Sequence, residues 1–85
     1  MLEREEVFQK LKEILLIMDP SKKDLIDKVS EDTYLVNDLG LSSVAMLYMV
    51  VAIEETFQIT FDDLGVEDFK TVRQTVDYIL EKIKA

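Results

Sequence analysis

The stretch VNDLGLSSV, residues 36–44, decides the fold, because it leads from a polar segment into the longest uncharged run of the chain, residues 39–53. Gly40 permits a sharp turn, and serine is a residue type that often begins helices. From about Ser43 to Thr56 the pattern predicts a helix. We expect four of its apolar residues, which recur at spacings of three and four, to face the core: Leu47, Val50, Ile53 and Phe57.

Two further helices are predicted, one on each side of this central helix. Apolar residues recur at helical spacing from Val7 to Met18, and this first helix ends before Asp19-Pro20. The last helix begins at Thr71, where Gln74 is placed to complete a capping box. Its expected buried stripe is Val72, Val76, Ile79, Leu80 and Ile83.

The connections between these helices complete the predicted fold. Residues 21–40 have weak periodicity, and we interpret them as a long, ordered crossover with one capped turn near Ser21. A short helical turn is expected at residues 66–69. The chain has only 2 Gly and 1 Pro, so few positions favour a turn. The sequence therefore predicts an all-α fold. We expect a small four-helix bundle of three long helices and one short helix, with a long first loop, in a single domain over residues 1–85.

Composition excludes several classes of function. The 85 residues include 10 Lys and Arg against 18 Asp and Glu, and the net charge of −8 repels nucleic acid and anionic lipid. A basic protein partner suits this charge better. With no Cys and no His, the chain has no thiolate nucleophile, no Ser-His pair and no Cys or His ligand for zinc. Its clustered carboxylates at residues 62–63 and 67–68 are typical of a solvated face, so no metal site is expected.

Length and terminal composition lead to an expected location. The longest uncharged run is 15 residues, which is shorter than the roughly 20 residues needed to span a bilayer. The first residues, Met1 to Glu6, lack the basic and apolar regions of a signal peptide. We therefore expect no membrane span and a cytoplasmic location.

Ser43 is the candidate site of chemistry. A serine at the first position of a helix presents its hydroxyl to solvent beside backbone N–H groups that have no partner in the helix. A phosphodiester at this place would be favoured by about 0.3 to 1 kcal/mol. Without histidine as a base, Ser43 is not a nucleophile in its own right. The plain alternative is that Ser43 only caps the helix; Ser42 is the competing site and is interpreted as a capping or exposed residue.

The residues Asp38-Leu39-Gly40-Leu41 and Ser43-Val44 give the chain a resemblance to the acyl carrier protein family. The likeness continues in Glu54-Glu55, Phe57, Asp63, Thr71-Val72 and Asp77-Tyr78-Ile79. It implies a 4′-phosphopantetheine arm, drawn from coenzyme A by a separate phosphopantetheinyl transferase and attached to Ser43, with Asp38, Leu39, Gly40 and Val44 as supporting motif residues. The chain would then be a non-catalytic carrier that holds acyl intermediates as thioesters and delivers them to partner enzymes.

A carrier of this kind is expected to shield its acyl chain in an apolar gap between helices. The candidate lining residues are Leu47, Val50, Ile53, Val66, Phe69 and Ile79. The alternative is that these residues are ordinary core, since aliphatic residues at helical spacing are usually core.

The chain departs from the family on the face expected to meet partner enzymes. Members that serve fatty-acid synthesis usually have acidic residues two and five positions after the modified serine, where this chain has Ala45 and Tyr48. The expected partner face is Ala45, Tyr48, Val51, Glu54 and Glu55. The interrupted acidic face predicts a specialised carrier of a lipid or secondary-metabolite pathway. Its expected partners are acyl-transferring or synthase enzymes with basic docking patches. We expect the carrier to be a monomer.

Two other interpretations stay open at this point. A carrier of amino acids or D-alanine would share the bundle and the serine. An unmodified helical interaction module would instead use a binding stripe of Met46, Tyr48, Met49 and Val51. The sequence does not distinguish which group is carried or which pathway is served.

Overall fold

The structure is a computed structural model that describes residues 3–61 and 69–84. These residues form the helices α1 (Arg4–Met18), α2 (Lys23–Asp27), α3 (Ser43–Phe57) and α4 (Val72–Lys84), with a 3₁₀ turn at Pro20–Lys22. The short α2 lies where the sequence predicted one capped turn. Helix α1 packs against both α3 and α4. The predicted all-α bundle of three long helices with a long first loop is confirmed, whereas the short helix predicted at residues 66–69 lies largely outside the described residues.

Helix α1 begins and ends at signals that are local in the sequence. Glu6 Oε1 accepts a hydrogen bond from the backbone N–H of Glu3 at 3.3 Å, as part of a capping box. The helix stops at Met18, because Pro20 disfavours helical geometry at the residue before it. Its buried face is Val7, Leu11, Ile14 and Leu15. The predicted end of this helix, before Asp19-Pro20, is confirmed.

Helix α3 has the predicted bounds but a different buried face. Its buried residues are Met46, Met49, Ile53 and Phe57. The prediction that Leu47 faces the core is wrong, since its side chain is 56% exposed, and Val50 is only half-buried. The reason is that residues 44–53 include no charged residue, so the helix is apolar on nearly every side. Two stripes of apolar residues then have equally good helical spacing. Packing against α1, rather than local pattern, selects between them.

Helix α4 begins with the predicted capping box. Thr71 Oγ1 accepts a hydrogen bond from the backbone N–H of Gln74 at 3.2 Å, and Gln74 Oε1 accepts one from that of Thr71 at 3.1 Å. The buried residues of the helix are Val72, Thr75, Val76 and Ile79. Leu80 and Ile83 are only partly buried, at the edge of the core.

The crossover before α3 is held in place by backbone hydrogen bonds to the start of α4. The N–H of Leu35 donates to the carbonyl of Lys70 at 2.9 Å, and the N–H of Val72 donates to that of Thr33 at 3.0 Å. One isolated antiparallel bridge joins Tyr34 to Thr71. These bonds fix the segment that leads into the Asp38–Gly40 turn, and so they position the beginning of α3. In the part of the chain that the structure describes, no helix is long and apolar enough to cross a membrane.

Candidate functional site

The turn before α3 is built by the residues of the Asp-Leu-Gly motif. The Asp38 carboxylate accepts a hydrogen bond from the backbone N–H of Tyr34 at 2.8 Å, and the N–H of Gly40 donates to the carbonyl of Val36 at 2.8 Å. Gly40 has a positive φ of 69°, which is a left-handed conformation that side chains with a Cβ disfavour. Leu39 is buried and anchors the turn to the core. Asp38, Leu39 and Gly40 therefore shape the path of the chain into α3.

Lys22 ties the 3₁₀ turn to this motif. Its Nζ donates a hydrogen bond to the carbonyl oxygen of Leu39 at 2.6 Å, and it lies 3.4 Å from the place a Cβ on Gly40 would occupy. The two bonded residues are 17 positions apart in the chain. Lys22 was not predictable from the sequence, because no spacing or motif links it to residues 38–40.

Two adjacent serines have different roles at the start of α3. Ser42 is the N-cap, and its Oγ accepts a hydrogen bond from the backbone N–H of Ala45 at 3.1 Å. Ser43 is the first helical residue and is exposed. Within the described ranges, the hydroxyl of Ser43 and the backbone N–H groups of Ser43 and Val44 have no hydrogen-bond partner. The predicted exposed hydroxyl at a helix start is thus what the structure shows, and Ser42 has the predicted capping role.

Ser43 opens onto a groove that we name the Ser43 groove. It has a volume of about 750 Å³ and is lined by Tyr34, Val36, Asn37, Leu41, Ser42, Ser43, Met46, Phe69 and Lys70. A second groove, of about 500 Å³, lies on the other side of Ser42 beside Lys22 and Tyr48. An exposed hydroxyl, two N–H donors without partners and open space beside them fit a phosphate-linked flexible arm on Ser43. Tyr34, Asn37 and Lys70 were not predictable from the sequence, because only tertiary structure brings them to this groove.

The residues predicted to line an acyl pocket fall in several places. Ile53 and Ile79 are fully buried between the helices, and Phe69 is 3% exposed. Val50 is half-buried, Leu47 lies on the outer side of α3, and Val66 lies outside the described residues. Of the members that the structure describes, only Phe69 also lines the Ser43 groove. The pocket itself stays a prediction.

Two residues of the predicted partner face, Tyr48 and Val51, belong to a continuous apolar surface, which we name the outer α3 face. It consists of Val44 (63% exposed), Leu47 (56%), Tyr48 (66%) and Val51 (50%). These four residues line a shallow depression of about 290 Å³.

The remaining residues of the predicted partner face contribute less apolar surface. Ala45 is half-buried, and Glu55 is exposed. Glu54 Oε2 accepts a hydrogen bond from the backbone N–H of Phe61 at 2.8 Å. The stripe that the interaction-module interpretation required does not form, because Met46 and Met49 are 3% and 0% exposed.

Comparison with known proteins identifies the class. A family model described as phosphopantetheine attachment site matches residues 7–79. The chain is 35% identical over 85 residues to the acyl carrier protein of Thermotoga maritima, covering 98% of this chain and 99% of that protein. It is 34% identical over 83 residues to the acyl carrier protein of Cyanidium caldarium, covering 98% and 93%.

Two further similarities involve longer proteins. The mitochondrial acyl carrier protein of Saccharomyces cerevisiae is 34% identical over 79 residues, which cover 92% of this chain and 63% of that protein. The solution structure of the apo doublet acyl carrier protein from prodigiosin biosynthesis is similar, with a TM-score of 0.63 and 27% identity. That match covers 91% of this chain and 38% of the other.

The helical bundle, the exposed serine and the matched family model define a carrier that holds a covalently attached 4′-phosphopantetheine. The chain belongs to the acyl carrier protein family. Proteins of this family are non-catalytic, and they work with phosphopantetheinyl transferases and synthase enzymes.

Proposed function

We propose that Ser43 is the residue that carries the arm and that the chain holds acyl groups on it. The observation that supports this most directly is the exposed Ser43 hydroxyl, which has no hydrogen-bond partner among the described residues and borders an open groove. Ser42 is the weaker candidate, because its Oγ is already used in the cap. Asp38, Leu39 and Gly40 support the site by holding the turn, and Val44 supports it as the next motif residue.

The chain's own contribution is to present and stabilise the attachment point. The free N–H groups of Ser43 and Val44, at the positive end of α3, favour an anion on Ser43 Oγ by about 0.3 to 1 kcal/mol. The arm supplies a terminal thiol that holds the acyl group as a thioester. Because the chain has no His to act as a base, a separate phosphopantetheinyl transferase installs the arm, and the exposure of Ser43 gives that enzyme access.

Loading with the arm tests this assignment. The protein is incubated with coenzyme A and a phosphopantetheinyl transferase of broad specificity, and its intact mass is measured. We expect a gain of one arm in the parent and in Ser42→Ala, and no gain in Ser43→Ala. Circular dichroism of both variants checks that they fold. A gain that persists in Ser43→Ala would contradict the proposal, as would no gain in the parent.

We propose that the interior acyl pocket opens only when the helices move apart. Ile53 and Ile79 are fully buried, so an acyl chain reaches them only when helix packing loosens. Each methylene that becomes buried contributes about 0.8 kcal/mol, which offsets that loosening for a chain of medium length. Phe69 supports the entry route, because it lies both in the core and in the wall of the Ser43 groove.

The partners are proposed to be specialised for this carrier. The outer α3 face offers apolar contacts that include an exposed aromatic residue, and Glu55 remains available to a basic docking patch. We further propose that the carrier works as a monomer in the cytoplasm, and the absence of Cys is compatible with that compartment.

A gain-of-function variant tests the specialised partner face. Ala45→Asp combined with Tyr48→Glu places acidic residues at the two positions where general fatty-acid carriers usually have them. The parent and the double variant, both with the arm attached, are compared as substrates of an acyltransferase from general fatty-acid synthesis. We expect kcat/KM to be higher in the double variant by about tenfold. Equal values in the two proteins would contradict a specialised face.

A further inference from the structure

The Lys22 side chain reaches the turn before α3 from a backbone that is itself held by hydrogen bonds. The N–H of Lys22 donates to the carbonyl of Asp19 at 3.1 Å, and the Asp19 carboxylate accepts from the N–H of Ser21 at 3.2 Å. Pro20 restricts the backbone of the same 3₁₀ turn, which follows α1. The backbone of Lys22 is therefore fixed relative to the end of α1, and its side chain spans from there to Leu39.

The ammonium group of Lys22 is the hydrogen-bond partner of the Leu39 carbonyl. The distance between Nζ and the carbonyl oxygen is 2.6 Å, and within the described residues that carbonyl accepts no backbone hydrogen bond. The bond is partly buried, and a carbonyl left without a partner in such a place costs more free energy than one in open water. Removal of the Lys22 amine therefore releases the turn at Leu39.

Ser43 depends on this turn for its position. Its hydroxyl has no hydrogen-bond partner within the described ranges, so only the backbone holds it. That backbone follows Gly40, which has a φ of 69°, and Leu41, whose N–H donates to the carbonyl of Leu35 at 3.2 Å. Because Leu39 lies only four positions before Ser43, a shift of the turn moves the start of α3.

We propose that Lys22 is a positioning residue for attachment of the arm, because its bond to Leu39 places the Ser43 hydroxyl for the transferase. This inference rests on the proposed attachment at Ser43. In that step a bond forms between Ser43 Oγ and a phosphorus of coenzyme A, and the same phosphorus loses its bond to the bridging oxygen of the pyrophosphate. Adenosine 3′,5′-bisphosphate leaves with the electron pair, and the serine proton passes to a base of the transferase, since the chain has no His. The rate of such a displacement depends steeply on the placement of the attacking oxygen.

Steady-state kinetics of arm attachment test the proposal. The protein is combined with coenzyme A and a phosphopantetheinyl transferase, and kcat and KM are measured with the carrier as the varied substrate. Intact mass of the parent and of Ser43→Ala first establishes attachment at Ser43, so a failure of the proposed function is seen separately. The variants are Lys22→Met and Lys22→Arg. The matched control is Lys23→Met, which removes the same charge from the next residue, whose Nζ pairs with a carboxylate of its own helix α2.

We expect Lys22→Met to lower kcat by about tenfold and to leave KM within about twofold of the parent. Lys22→Arg should restore most of the rate, since it keeps a hydrogen-bond donor, and Lys23→Met should match the parent. A variant that is only partly folded would instead raise KM and leave kcat unchanged, because its folded fraction still reacts normally.

Hydrogen exchange separates positioning from direct contact with the transferase. In the free carrier the amides of Gly40 and Leu41 bond within the turn, and we expect them to exchange about tenfold faster in Lys22→Met. The amide of Val72, at the start of α4, should be unchanged. Circular dichroism checks folding, and Lys22→Ala, which also lacks the donor, replaces Lys22→Met if that variant does not fold. Unchanged kcat, an equal loss in Lys23→Met, an effect on KM alone or unchanged exchange at Gly40 and Leu41 would each overturn the proposal. Failure of both Lys22 variants to fold would overturn it too, since Lys22 would then support the whole fold.

Discussion

Gly40 holds the turn before α3 in a left-handed conformation with a φ of 69°, and its N–H bonds to the carbonyl of Val36. Gly40→Ala should lower the free energy of unfolding by about 1 to 2 kcal/mol, since a residue with a Cβ is strained at this φ. Steric contact adds little, because the new Cβ would lie 3.4 Å from the flexible end of Lys22. Urea unfolding measures the loss. Gly40→Asn is the control: asparagine tolerates positive φ, so a loss as large as that of alanine would mean that the cost is steric.

The predictable part of the site is the part that depends on local chemistry. Ser42, Ser43 and Gly40 could be assigned from the sequence, because capping, exposure at a helix start and a glycine turn are set by neighbouring residues. Lys22 and Lys70 could not be assigned, since each acquires its role through a segment that is distant in the chain. Which lysine lies beside a groove depends on how the segments pack together, and the spacing of residues along the chain does not show it.

At the level of elements, the orientation of α3 is the feature that the sequence predicted incorrectly. Met49 is fully buried, whereas Leu47 is 56% exposed, although the two are close in size and both apolar. Met49→Ala should cost about 2 to 5 kcal/mol of unfolding free energy, because it leaves a cavity in the core. Leu47→Ala should change it by less than about 0.5 kcal/mol. Thermal or urea unfolding of the two variants measures this difference, and similar losses would contradict the orientation of the helix.

The bounds of the helices were predictable even where their faces were not. The end of α1 is set by Asp19-Pro20 and the start of α4 by the Thr71 and Gln74 capping box, and both signals act within a few residues. The buried face of α3 depends instead on contact with α1, because an almost uniformly apolar helix has no polar side to direct it. The predicted acyl pocket, which included Leu47, was drawn from that ambiguous pattern.

At the level of the whole molecule, an ion-pair network joins the first and the last helix to the crossover. Arg4 of α1 donates through Nε to both carboxylate oxygens of Glu31 at 3.0 Å, and through Nη1 to Asp77 of α4 at 2.6 Å. Arg73 of α4 lies 3.6 Å from the Glu31 carboxylate and also pairs with Asp32. The network thus ties α1, the crossover and α4 together at the end of the bundle where α1 begins.

The network makes the contribution of Glu31 to the stability of the fold depend on pH. Hydrogen bonds from the Arg4 guanidinium hold the pKa of Glu31 below its ordinary value, and the same bonds raise the pKa of Arg4. Because the folded state then favours the charged carboxylate, Glu31 stabilises the fold fully at pH values above its unfolded pKa of about 4.3. That stabilisation is lost as the pH falls through the lower pKa of the folded state.

Glu31→Gln removes the negative charge of Glu31, and with it this stabilisation, and leaves the shape of the side chain nearly unchanged. We expect the variant to be less stable than the parent by about 0.5 to 1 kcal/mol at neutral pH, since the pairs are partly solvated. Below about pH 4 the difference should narrow and then vanish, because the parent loses the same charge by protonation. Urea unfolding over a pH series measures it, with the exposed Glu13→Gln of α1 as the control for removing one negative charge from an acidic molecule. A gap between Glu31→Gln and the parent that stays constant across the series would show that Glu31 acts through packing, and the network would then not be what joins the helices.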